Sequence, residues 1–247
     1  NQLFIYNTKK INKGFKLSKI LFDKDQLFIN NFNLIDNFNK IPFKKNFILS
    51  AMNLAFLGYF AAGKLNPHKN LYHWVDGIWA EKYTNLKKKP GRDLLRQLKI
   101  PKAIKKILII GNISERSQKY LTKKFKINVL NAKLPYGPIE VLKKIKIKIP
   151  NDTLTLITLP TPKQEQIAFN LSKYNKNYQI ICIGASLAIV SGEEKEVPSI
   201  LKSYEFLWRL RTDTIRRLIR LLETIFYYTK GIVYLKKYIN TSFRKID

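Results

Sequence analysis

Cysteine, methionine and histidine are almost missing from this chain, which has one Cys, one Met and two His in 247 residues. The lone Cys182 can form no internal disulfide. Set in the apolar run QIICIG, it reads as a buried structural thiol and not as a nucleophile. His68 and His73 are too few for a histidine-rich metal site. A G-x-G-x-x-G fingerprint is also missing, so a nicotinamide cofactor is not supported. Neither a metal nor a cofactor is expected. No run reaches the roughly 18–20 apolar residues that span a bilayer. The nearest, residues 47–62, is interrupted by Ser50 and Asn53. The N-terminus shows no charged-then-apolar leader pattern and no initiating Met, as in a trimmed chain. The expectation is a cytoplasmic protein, peripheral at the inner face of the cell membrane.

Acidic residues are scarce as well, 17 against 46 Lys and Arg, for a formal charge of +29. Such a charge fits nucleic acid or an anionic membrane surface. Much of it is lysine in a chain also heavy in Ile, Asn, Phe and Tyr, which reads as compositional bias. Attraction to anionic lipid remains expected. Nucleic acid does not, because no nucleic-acid-binding motif is present and the arginines gather on one helix. A hydrophobic content of 45% is that of a globular protein. The length suits an α/β core, expected over 1–200, with a C-terminal arginine-rich helical appendage over 201–247.

Arginine is the informative cation. Only nine are present, and five lie between Arg209 and Arg220. On one continuous helix at about 100° per residue, Arg209, Arg216 and Arg220 fall within about 40° of each other. Leu207, Leu210, Leu218, Leu221, Leu222 and Ile225 fall opposite, and this apolar side is expected to pack on the domain. Guanidinium groups bind phosphate oxygens as planar forks, so a stripe of them suits a diphosphate. The alternative is a solvated face with Asp213 bridging Arg209 and Arg217. Residues 225–239 mix tyrosine and lysine around a glycine break. They read either as a membrane-interface segment or as a helix capping the domain. The tail after Asn240 is expected to fray.

Between these ends the chain alternates apolar β-rich runs with helical ones. Residues 47–63 begin extended and turn helical, and Leu71–Val75 reads as a strand closed by an Asp76-Gly77 turn. Residues 105–112 form a strand ending at Gly111, followed by a helix over 114–125. A strand over 127–134, a lysine-faced helix over 139–147, and strands over 153–159 and 178–187 complete the series. Leu3–Tyr6 and Gln26–Ile29 are expected as short strands. The alternation predicts a Rossmann-like, mainly parallel sheet with helices on both faces. Thr161 and Gln164 have capping-box spacing, with Pro162 at the first helical position, so a helix should start where a strand ends. Such a junction favours an anion, and open α/β sheets bind ligands there.

Several of these residues together resemble a family. They are Leu-Pro-Thr-Pro-Lys-Gln-Glu (159–165), Gly184-Ala185, Ser191-Gly192 followed by Pro198, and Glu205-x-x-x-Arg209 with the later arginines. The resemblance is to the WecG/TagA/CpsF glycosyltransferases and covers roughly 47–224. It implies an inverting, metal-independent glycosyltransferase making bacterial surface polysaccharide. The donor would be a UDP-sugar, of N-acetylmannosamine or a related hexose, and the acceptor a polyprenyl-diphosphate-linked saccharide. Asp76 matches the family's proposed catalytic base. Asn53 matches the Asn of its Thr-x-Asn, and Gly77, Gln164, Arg209, Arg216 and Arg220 join the substrate site. Gly111 is read either as a nucleotide-sugar contact or as a structural glycine, and Glu165 either as a ligand contact or as a helix-dipole partner. Gly91 and Asp93 match a Gly-x-Asp, with Asp93 read mainly as a first-turn carboxylate. The chain departs from the pattern at Ala51, at Leu187-Ala188, at Glu196-Val197 and at Thr214. A catalytically inactive homologue and a basic nucleic-acid binder are the rival readings.

Overall fold

The computed structural model describes residues 32–62, 64–65, 70–84, 86–135, 137–144, 146–198, 208, 214–238 and 243–245. The strands expected at Leu3–Tyr6 and Gln26–Ile29 lie outside them, as does Arg209. The strands are β1 (Phe32–Leu34), β2 (Phe47–Met52), β3 (Leu71–Val75), β4 (Lys106–Ile110), β5 (Asn128–Ala132), β6 (Thr153–Ile157), β7 (Gln179–Cys182) and β8 (Phe243–Lys245). They form one eight-stranded sheet in the order β5-β4-β6-β7-β2-β3-β1-β8. Every pairing is parallel. The sheet therefore sets all its carboxyl ends along one edge, in the Rossmann-like α/β manner that the alternation predicts.

The helices are α1 (Leu54–Ala61), α2 (Ile78–Thr84), α3 (Gly91–Gln97), α4 (Glu115–Phe125), α5 (Ile139–Lys144), α6 (Lys163–Tyr174), α7 (Ser186–Val190) and α8 (Thr214–Tyr238). A parallel sheet covered on both sides needs strands that are apolar throughout. Phe47–Met52 is buried at every position, as is Thr153–Ile157. One face packs Ile48, Met52, Ile157 and Ile180 under α1, α5, α6 and α8. The other packs Leu49, Leu154, Leu156 and Ile181 under α3, α4 and α7. Removing one such side chain, for example Ile48→Ala, costs roughly 2–5 kcal/mol.

The structure departs from the sequence reading in four places. The strand expected over 178–187 stops at Cys182, and Ser186–Val190 is helical after a turn at Gly184. Pro162 is the N-cap of α6 with no side-chain cap bond, because Thr161 and Gln164 turn toward Glu165 and Gly184 and not toward the first-turn N–H groups of α6. Gly231 does not break α8, which runs unbroken through it. Within the tail expected to fray, Phe243–Lys245 instead pairs in register with β1.

The packing of α8 departs from expectation as well, and most informatively. On α8 the apolar positions Leu218, Leu222 and Ile225 stand 42–58% exposed, with Ile215, Ile219 and Phe226 beside them. The side that meets the domain holds Arg220, Leu221, Thr224 and Tyr228. The contact at α1 explains this inversion. A Cβ on Gly58 would stand 3.0 Å from the Thr224 carbonyl oxygen, so only a glycine lets the two helices approach so closely. Tyr59 stacks on Tyr227 and hydrogen-bonds Glu223. Small and polar groups thus make much of the fit, and Leu218 and Leu222 are left outside.

Candidate active site at the carboxyl edge of the sheet

Four strand ends and α8 enclose a cleft of about 550 Å³. Asn53 after β2, Asp76 after β3, Gln164 at the start of α6 and Arg220 on α8 all line it. Sequence positions from 53 to 220 meet there because parallel strands must present their ends on the same side.

Asn53 has its orientation set by the helix it starts. Its Oδ1 accepts the Phe56 N–H at 3.0 Å, capping α1, which leaves the Nδ2 hydrogens uncommitted. Asp76 follows β3 directly, and its own N–H donates to the Met52 carbonyl at 2.9 Å. That bond ties the Asp76 backbone to the end of β2. Gly77 follows it at the start of α2 and does not line the cleft. Trp74 is part of the wall, is 1% exposed, and carries an indole N–H with no protein partner among the described residues. Trp79 instead leans on Tyr228 at 5.5 Å between ring centroids.

Gln164 is bound on every side. Its Oε1 accepts the Gly184 N–H at 3.1 Å, and its Nε2 donates to Thr161 and to Glu165. Glu165 stands behind it with no exposure and does not reach the cleft wall. Burial raises its carboxyl above the usual range, opposed by hydrogen bonds from Ser50, Gln164 and Thr161.

Beneath the wall the register completes a polar layer. Ser50 pairs with His73 on one side and Cys182 on the other. The Ser50 hydroxyl donates to Glu165 at 2.6 Å, and its carbonyl lies 3.2 Å from His73 Nδ1. His73 packs against the Phe56 ring at 4.4 Å, and burial lowers its pKa to about 3, so it is neutral. Cys182 is fully buried, and burial together with Glu165 pushes its thiol well up. A thiolate there has no support. Ser50 therefore faces the core and not the cleft. His73 and the Ser50–Glu165 bond escaped the sequence reading, since strand register sets His73 beside Ser50 and the packing of α6 on the sheet brings Glu165 to it.

Of the remaining expected residues, Gly111 closes β4 behind Thr158 and does not itself line the cleft. A Cβ there would lie 2.2 Å from Thr158 Oγ1, which accounts for the glycine by packing. Asp93 pairs with Arg96 at 3.6 Å in the first turn of α3, in keeping with the helix-carboxylate reading. Arg216 lies on α8 with Arg220. Glu196, one of the departures from the family pattern, binds Arg92 at 3.0 Å and Arg96 at 2.7 Å and ties its loop to α3. Among the described residues no group of three or more His, Cys, Asp or Glu is arranged to hold a metal ion. No helix among them is long and apolar enough to cross a membrane.

The model of the Glycosyl transferase WecG/TagA/CpsF family matches residues 85–239. No curated protein matches the chain.

Proposed function

The chain belongs to the WecG/TagA/CpsF glycosyltransferase family of surface polysaccharide synthesis, and from that premise we propose that it transfers a hexose from a UDP-sugar to a lipid-linked saccharide. The observation that carries this reading is the convergence of Asn53, Asp76, Gln164 and Arg220 on one cleft.

The transfer is an inverting displacement. The acceptor hydroxyl attacks the anomeric carbon as the bond from that carbon to the diphosphate oxygen breaks. The hydroxyl proton passes to the Asp76 carboxylate, which acts as general base at the strand end. UDP leaves with the bonding electrons. Arg220, joined by Arg216 and Arg209 of the same stripe, neutralises the charge that develops on the diphosphate. Uncommitted Asn53 N–H groups and the Gln164 carbonyl hold the sugar nucleotide in line. In this reading guanidinium groups fill the place that a divalent cation takes in other transferases.

The exposed apolar row of α8 supports a membrane-facing orientation. Leu218, Leu222 and Phe226 flank the cleft on a helix that also carries lysines and arginines. An apolar strip on a basic helix lies at the headgroup boundary of an anionic bilayer, where a lipid-linked acceptor waits. The test is a UDP-sugar donor screen with a polyprenyl-diphosphate-linked acceptor in anionic vesicles, scored by UDP release. Release with one donor, weakened when Leu218, Leu222 and Phe226 are changed together to Gln, is expected. No release with any donor would overturn the enzymatic reading, and unchanged vesicle binding would overturn the membrane one.

A further inference from the structure

Glu165 has a geometry that its burial alone does not explain. One carboxyl oxygen, Oε1, collects three hydrogens: from Ser50 Oγ at 2.6 Å, Gln164 Nε2 at 2.9 Å and Thr161 Oγ1 at 3.0 Å. The second hydrogen of Gln164 Nε2 goes to Thr161 Oγ1 at 3.0 Å. Both amide hydrogens of Gln164 and the single hydroxyl hydrogen of Thr161 are therefore spent inside the protein. The Gly184 N–H, at 3.1 Å from Gln164 Oε1, fixes which way the amide is turned. It leaves that oxygen one lone pair.

We propose that Glu165 is a positioning residue that makes the Gln164–Thr161 wall of the cleft accept hydrogen bonds only, so that the ligand group seated there must be a donor. Ribose and hexose hydroxyls and the uracil N3–H are donors of this class; a bare phosphate oxygen is not. The inference rests on the reading above that Gln164 meets the sugar nucleotide.

Two observations support a role beyond stability. The other oxygen, Oε2, is buried with no protein partner among the described residues, and an apolar side chain of the same shape would avoid that cost. The three donors come from β2, from the loop after β6 and from α6, so the carboxyl joins the strand under the cleft to the residues on its wall. Without it the Gln164 amide would be free to turn and present its nitrogen. Burial also raises the carboxyl pKa, in keeping with an oxygen used as acceptor and not as a charge.

The experiment is a double-mutant cycle read by calorimetric titration with UDP at fixed salt, using Gln164→Ala, Glu165→Met and the pair, with Glu165→Gln alongside. Gln164→Ala is expected to weaken UDP about tenfold, Glu165→Met nearly as much, and the pair no more than Gln164→Ala alone. Glu165→Gln keeps a carbonyl acceptor and should stay within about threefold of the unmodified protein. If Gln164→Ala changes nothing, the contact between Gln164 and nucleotide falls and this inference with it. If Gln164→Ala weakens binding but the Glu165→Met loss adds in full, the positioning role alone is overturned. Should Glu165→Met lack a cooperative melt, Glu165→Gln decides: a loss as large as that of Gln164→Ala would overturn the acceptor role.

Discussion

The sheet has a cleft at each edge, and the two are close in size: about 550 Å³ at the carboxyl ends and about 610 Å³ at the amino ends. Only their chemistry separates them. At the amino edge Asn46 and Gln179 are committed to the fold itself. Asn46 accepts the Tyr178 N–H at 3.0 Å and donates to the Lys176 carbonyl at 2.7 Å, while Gln179 donates to the Phe43 carbonyl. At the carboxyl edge capacity is left over. Asn53 keeps its Nδ2 hydrogens, Gln164 keeps a lone pair and Trp74 keeps an indole N–H. A site is marked by hydrogen-bonding capacity that the fold has arranged and not used.

The contrast breaks most easily at Asp76. Asp76→Asn keeps the shape and removes the base, so turnover should fall about 10²–10⁴-fold while the melting transition stays put. Near-normal turnover with an authentic acceptor would leave the cleft without its chemistry. Next in size is Arg220→Gln. A charge-assisted contact to a diphosphate is worth about 1.5–3 kcal/mol, so UDP affinity should drop tenfold or more. An equal loss on changing Lys44, at the amino edge, would mean that net charge alone is at work.

The polar layer under the cleft offers a quieter effect. His73 is neutral when folded, with a pKa near 3, whereas an unfolded chain protonates it at about 6.5. Its folded pKa is depressed, so it costs nothing above pH 6.5. Below that it lowers stability by about 1.4 kcal/mol per pH unit, levelling off near pH 3. Denaturant midpoints of the unmodified protein and His73→Leu, compared from pH 7 to 4, should change in favour of the variant as pH falls. The raised Glu165 pKa works in the other direction in both proteins and leaves the difference intact. A difference that does not vary with pH would mean that His73 is already charged in the fold. Smallest of all is Asn46→Ala. It should cost about 1 kcal/mol of stability and leave turnover per folded molecule unchanged. Lost turnover would make the amino edge functional.

Much of the upper cleft is legible in one dimension because its parts are local. Asp76 follows an apolar run and precedes a glycine, and Gln164 opens a helix just after a strand. The layer beneath is not legible, since Ser50 and Glu165 are 115 positions apart and meet only when α6 packs on the sheet. Helix α8 shows a different limit. Amphipathic pattern says that a helix has two faces, and burial in a soluble core is one way of using the apolar one. Close packing at Gly58 turned the arginine side inward, which no periodicity in α8 itself encodes. Arg220 reached the cleft as expected, by the opposite route from the one expected.

The pairing of β8 with β1 also orders events in time. Phe32 and Phe243 are far apart in sequence, so the loop they close contains β2 to β7. During vectorial synthesis the outer edge of β1 stays open until Phe243–Lys245 is made, after the strands between them can assemble. Three residues are then enough to cover an edge that would otherwise template pairing with a neighbouring copy. Such a seam should be the first to open in the native state. Amide exchange at Asn33 and Arg244 should outrun that at Leu49, and equal protection would place the seam inside the cooperative core. Strand β8 acts as a latch on the finished sheet.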